Sequence, residues 1–207
     1  QEEAIVTSSF RPFMKQKMYF NRKLNNCVYQ IPKLFPNINS KNILICVSGV
    51  GVTKDFSNII TDTLPDLELI GKSQCFPLYY YEERKKESKG LFDEDEDEFI
   101  RKDAISDFIF DRAIKQYGSR VTKEDVFYYV YGFLHSREYR ETFTNDFKKM
   151  LPRLPLVDEP KEFWAFSKAG RELADLHLNY ETVKPADVKV TGAESKFYTV
   201  EKMRFPS

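Results

Sequence analysis

Residues Ser48 to Lys54, SGVGVTK, place two glycines ahead of a lysine, the materials of a phosphate-binding loop. Such a loop needs a Gly-Lys-Ser/Thr end after four intervening residues, so that backbone amides surround the phosphates and the lysine reaches them. Lys54 instead follows Gly51 by three residues with no adjacent glycine, which predicts a turn at a strand end. A dinucleotide fingerprint fails as well, because no third glycine opens a helix. His135 and His177 are the only histidines. Neither has a serine or cysteine nearby in the setting of a nucleophile. His135 is expected to finish a helix, and His177 to sit in a last helical turn where partial positive charge suits the dipole. The acidic run Asp93 to Glu98 lacks the alternating spacing and glycine of a calcium loop, and is expected to be solvated.

The segment SSFRPFMKQKMYFNRK is different. Arg11, Lys15, Lys17, Arg22 and Lys23 are interleaved with Phe10, Phe13, Tyr19 and Phe20. Cations on an aromatic support can contact phosphate, and Arg or Asn can reach base edges. An amphipathic strand with outward lysines fits the same spacing, and both readings stay open on spacing alone.

The totals bound the class. A chain of 207 residues suits one sizeable domain or two small ones. With 42% hydrophobic, 31% charged and 15% aromatic residues it is globular rather than disordered. No apolar run reaches membrane-spanning length and no signal peptide is evident. A chain opening on Gln1 is expected to be a fragment or a processed product. Cys27, Cys46 and Cys75 lie far apart in sequence with no CxxC, which predicts reduced thiols in a cytoplasm rather than a disulfide framework or zinc site. Net charge is zero, yet residues 1–60 hold eight Lys or Arg against three Asp or Glu. A locally basic N-terminal part can attract phosphates even so.

The elements that must position these residues divide the chain into four parts. Residues 1–82 read as strands (MYFN, NILICVSGV, FPLYYYE, with short strands in IITDTLPDLELI about a turn at Pro65-Asp66). Residues 83–100 read as a charged loop. Residues 101–181 read as about four helices. The first runs from Asp103 with Ile105, Phe108, Ile109 and Ala113 inward, and Gly118 ends it. The second is capped by Thr122 and Asp125, with Val126, Val130, Phe133 and Leu134 inward. The third starts at Ser136, buries Tyr139, Phe143, Phe147 and Met150, and stops at Pro152. The fourth begins near Asp158 with Pro160 in its first turn and buries Phe163, Phe166, Leu173 and Leu176. Residues 187–207 read as a returning strand. Segregation of this kind predicts an α+β fold, a mixed sheet under a helical layer.

Four blocks carry a family resemblance: FRPFMKQKMYFN, SQCFPLYYYE, VFYYVYGFLHSREYRETFTNDFKKMLPRLPL and GRELADLHLNYE, in that order. They resemble the C-terminal specificity region of Type ISP restriction-modification enzymes, single bacterial polypeptides that join nuclease, helicase-like motor, N6-adenine methyltransferase and target recognition. The resemblance implies a single target-recognition domain over residues 1–207 that binds double-stranded DNA and directs methylation and cleavage by other domains. It implies adjacent methyltransferase and helicase domains as partners, a bacterial cytoplasm, and no membrane. Parental S-adenosylmethionine, ATP and magnesium would bind elsewhere, with no cofactor, metal or catalytic residue in this piece. Family members continue past the VEKMRF strand with more sheet and a final helix, so the sheet is expected to be incomplete. The DNA contacts expected are Arg11, Lys15, Lys17, Asn21, Arg22 and Lys23, then Lys54, Arg84, Lys85 and Lys86. The alternative is a coupling module whose helical half docks on the methyltransferase without base contacts. An independent enzyme would need a constellation of titratable groups that the sequence does not offer.

Overall fold

The computed structural model describes residues 5–21, 23–25, 28–84 and 98–187. Among them, β1 (Ile5–Arg11) and β2 (Met14–Tyr19) form an antiparallel hairpin, and the two-residue β5 (Leu64–Pro65) adds to β1 in parallel. A second sheet has β3 (Leu44–Val47) between β4 (Asn58–Thr61) and β6 (Gln74–Pro77), both antiparallel to it. The strands β7 (Tyr79–Glu83) and β8 (Phe99–Asp103) form a separate antiparallel ribbon.

β3 reads LICV, an unbroken apolar run, and such a strand must be covered on both faces. Ile45 and Val47, with Ile60 of β4, belong to the core under the helices. Leu44 and Cys46, with Ile59, belong to a second core with Phe35, Leu64 and Leu69. Burial of Leu44, Ile45 and Val47 contributes about 1.5–3 kcal/mol each. The middle sheet is therefore the partition between two cores.

The helices are a single turn α1 (Ile31–Leu34), α2 (Asp107–Tyr117), α3 (Lys123–Leu134), α4 (Arg137–Thr142) and α5 (Pro160–Leu178), followed by a 3₁₀ turn at Tyr180–Thr182. Gly118 ends α2 with φ 101° and its N–H on the Ile114 carbonyl. Thr122 and Asp125 form a reciprocal capping box at α3. α3 and α5 cross with their backbones almost touching. A Cβ on Gly132 would lie 2.3 Å from the Phe166 carbonyl oxygen, and one on Gly170 would lie 2.0 Å from that of Tyr128. Phe163, Tyr129 and Tyr131 pack around this crossing fully buried.

After α4 the chain makes turns over 143–150 and then, over 151–157, an extended strap across the helices. Hydroxyls of Tyr139, Tyr129 and Tyr117 donate to the carbonyls of Arg153, Pro155 and Val157 at 2.8, 2.7 and 2.6 Å. In an extended chain alternate carbonyls face one side, so three core tyrosines hold one edge of the segment that the sequence marks only as a helix stop.

Several expected boundaries and faces are corrected. The first long helix begins at Asp107 rather than Asp103, because residues 99–103 pair with β7 instead. Phe108 is consequently 73% exposed, against Arg112. The third helix stops at Thr142, where Thr144 Oγ1 donates to the Arg140 and Glu141 carbonyls and competes with the helical pattern. Phe143 and Met150 are thereby left 41% and 39% exposed, although Tyr139 and Phe147 are buried as expected. On α5, Leu176 is 51% exposed because Ala174 takes the inward position. FPLYYYE is not one strand: β6 ends at Pro77, and buried Leu78 links it to β7. The strand β8 was not expected, whereas β1 lies in the part expected to be strands but begins ahead of the runs singled out there. The returning strand falls outside the described residues from Val188 onward, as do residues 85–97 of the charged loop.

Candidate nucleic-acid interface

The β1–β2 turn, the β3–β4 loop and the β5–β6 loop converge on one groove of about 520 Å³. Arg11, Lys54 and Lys72 line it, with Asp55 and Glu68 as the acidic members. The loops are locked together. Gly49 N–H donates to the Gly71 carbonyl at 3.0 Å, and a Cβ on Gly49 would lie 2.2 Å from the Lys72 carbonyl oxygen, so the approach requires glycine. Arg11 donates to the Glu68 carbonyl and lies 4.4 Å over the Phe10 ring. Gly71 and Lys72 both have positive φ, which turns the lysine outward at a sharp corner. Lys54 and Lys72 are exposed and have no ion pair among the described residues. SGVGVTK joins two strands as a turn, as its spacing predicts.

Of the expected contacts, Arg11 and Lys54 share this groove. Lys72 was missed. Its signal was the Gly71-Lys72 pair, which repeats the glycine-lysine character of the preceding loop. Lys15 and Lys17 lie on one face of β2, near Asp62. Lys15 pairs with Glu181 at 3.1 Å and lies 5.2 Å from the Tyr180 ring. Partial burial works to lower the Lys15 pKa, but Glu181 outweighs it and leaves the ammonium above its ordinary value. Lys17 donates to Thr7 Oγ1 at 3.0 Å. Asn21 Oδ1 accepts from the Lys23 backbone N–H at 2.9 Å, so its carbonyl serves a turn while Lys23 stays exposed. Arg84 sits on the separate β7–β8 ribbon, its N–H on the Glu98 carbonyl at 2.9 Å. Arg22, Lys85 and Lys86 lie outside the described residues.

His135 caps α3 and stands edge-on to Tyr131 at 4.9 Å. Burial, with Arg140 and His177 nearby, lowers its pKa to about 4. His177 shares a 2.5 Å hydrogen bond between its Nδ1 and the Tyr131 hydroxyl. Burial lowers its pKa too, which works against the positive charge expected at the helix end. Cys46 and Cys75, distant in sequence, are direct cross-strand partners with Sγ atoms 3.0 Å apart, and both are free thiols. The Cys75 sulfur and burial together push the Cys46 thiol well above its usual range. Cys27 lies outside the described residues. Among the described residues no group of three or more His, Cys, Asp or Glu could hold a metal ion, and no helix is long and apolar enough to cross a membrane.

The architecture is α+β, with three cations and two carboxylates gathered where three loops converge. The profile of the Type ISP C-terminal specificity domain matches residues 1–207, and the chain belongs to that family. Among solved structures it is similar to the protein in a cryo-EM structure of a DrdV–DNA complex, at 34% identity and a TM-score of 0.77 over 89% of this chain and 17% of that one. It is similar to the ATP-dependent Type ISP restriction-modification enzyme LlaBIII bound to DNA, at 34% identity and 0.74 over 89% and 11%. It is also similar to a nuclease-deletion mutant of the Type ISP restriction-modification enzyme LlaGI in complex with a DNA substrate mimic, at 36% identity and 0.69 over 90% and 12%. The chain thus spans between a tenth and a fifth of the length of these proteins. Among curated proteins there is no match to this sequence.

Proposed function

We propose that this chain is the duplex-DNA recognition domain of a restriction-modification enzyme, selecting the site at which other domains of a longer polypeptide methylate adenine and cleave. The observation that carries the reading is the groove in which Arg11, Lys54 and Lys72 stand at the tips of three interlocked loops. Cations so held contact phosphates and set the register of the domain on the duplex, while neighbouring loop side chains reach base edges. The family and the three DNA-bound relatives support the partner. The domain itself performs no covalent step in this reading. Both histidines are packed among aromatic rings, where burial lowers their pKa values, and S-adenosylmethionine, ATP and magnesium are assigned to the other domains of the parent, in a bacterial cytoplasm.

The test is DNA affinity of the longer protein against salt concentration. Replacing Lys54→Glu and Lys72→Glu together is expected to weaken binding to any duplex roughly 10- to 100-fold. It should also flatten the log–log salt slope by about 2, one unit for each lost phosphate contact. Charge reversal at Lys15, Lys17 and Arg22 asks the same of the β2 face. A variant set with unchanged slope removes its residues from the interface.

A further inference from the structure

A second groove, of about 510 Å³, lies between α4 and the strap and shares no lining residue with the first. Tyr139, Phe143, Phe147, Met150, Leu151 and Leu154 line it. Of these, Phe143, Met150 and Leu154 are 41%, 39% and 36% exposed. The groove is preformed: its outer wall is the strap that the three tyrosine hydroxyls hold in place. The backbone N–H groups of Leu151, Arg153 and Leu154 have no acceptor among the described residues. The charged lining residues are Asp146 and Arg153, and exposed Lys148 and Lys149 stand in the same turn between lining residues Phe147 and Met150.

We infer that this groove seats an apolar segment flanked by carboxylates from another domain of the same longer polypeptide. The inference rests on membership of the specificity-domain family, not on the DNA reading. Relatives in which this domain is 11–17% of the chain leave more than four fifths of each polypeptide outside it. Covalent linkage supplies a high effective concentration, so a groove of this size suffices where it would be too small for a free partner. Three cations against the one carboxylate of Asp146 leave the surroundings net positive, which favours an acidic neighbour over a second copy. A two-fold contact through this face would oppose two surfaces of the same net positive charge. Exposed aromatic and aliphatic side chains in one preformed groove are the usual mark of an interaction surface.

The test uses the longer protein at a dilution where it is monomeric. Carboxylate-to-amine coupling is expected to join Lys148 or Lys149 to an Asp or Glu outside residues 1–207. Backbone amides of Leu151, Arg153 and Leu154 are expected to exchange at least tenfold more slowly than free amides, and the variant Met150→Glu with Leu154→Glu to restore fast exchange there, with α3 and α5 unchanged. Cross-links confined to residues 1–207, within one chain or between two, overturn the assignment by naming this chain as the occupant. Free exchange at these amides in the unaltered protein overturns it by showing an open groove. DNA affinity, measured on the same samples, separates the two readings: a loss of salt-dependent binding with the cross-link intact strikes only the DNA assignment.

Discussion

Asn42 holds three elements together from one buried position. Its Nδ2 donates to the Leu34 and Tyr79 carbonyls at 3.1 and 2.7 Å, while its Oδ1 accepts from the N–H groups of Ile43 and Tyr79 at 2.9 and 3.1 Å. Removing such a side chain leaves backbone groups desolvated and unpaired, which costs more than the hydrogen bonds themselves contributed. Asn42→Ala is expected to destabilise the domain by about 3 kcal/mol in urea unfolding, and a loss under 1 kcal/mol would refute this bracing role. His135 gives a prediction of opposite character. Its folded pKa of about 4 lies below the ordinary 6.5, so between these values the unfolded chain binds a proton that the folded one does not. Stability is then fully present above pH 6.5 and falls as pH drops toward 4. With solvent screening the total is about 1–2 kcal/mol. Unfolding midpoints at pH 7 and pH 5 measure it, and His135→Gln should shrink the difference.

At the scale of elements, helix propensity and packing disagree about Gly132 and Gly170. In an exposed helix, alanine would be better than glycine by about 1 kcal/mol. Here each Cβ would meet the facing helix backbone below 2.5 Å, so Gly170→Ala is expected to lower stability by about 3 kcal/mol through forced separation of α3 and α5. A rise in melting temperature would contradict the close crossing. The strap offers a milder case: Tyr129→Phe removes one hydroxyl from the Pro155 carbonyl at a cost of about 1 kcal/mol and should speed proteolysis within 151–157. The helical caps were legible in the sequence, since Thr122, Asp125, Gly118 and Pro160 act through neighbours in the chain. The crossing glycines were not, because their requirement comes from a helix some 40 residues away. Nor was β8, whose FIRKD sequence alternates poorly and becomes a strand only by pairing with β7. Lys54 could be read from its loop, whereas its association with Lys72 depends on two loops meeting through Gly49 and Gly71.

Across the whole molecule, the basic groove and the apolar groove are not independent. Phe56 belongs to the same loop as Lys54, and it stacks on Phe147 at 4.3 Å and 25°. Phe147 in turn lines the apolar groove. Arg140 lies 5.7 Å from the Phe56 ring and donates to the Leu134 carbonyl and Asn58 Oδ1, fixing the loop's exit into β4 to the end of α3. A segment seated against Phe147 therefore bears on the loop that presents Lys54, with one aromatic pair between them. Distant and unconnected substitutions change binding free energy additively within about 0.5 kcal/mol, and contacts that share a packed element depart from this. In the longer protein, Lys54→Glu and Met150→Glu are expected to depart from additivity in DNA affinity by about 1 kcal/mol. Repeating the cycle in a Phe56→Ala background should restore additivity, because the stack joining the loop to the groove is gone. Additive effects in both backgrounds would mean that the two faces act separately, and that the Phe56–Phe147 pair only fills the core.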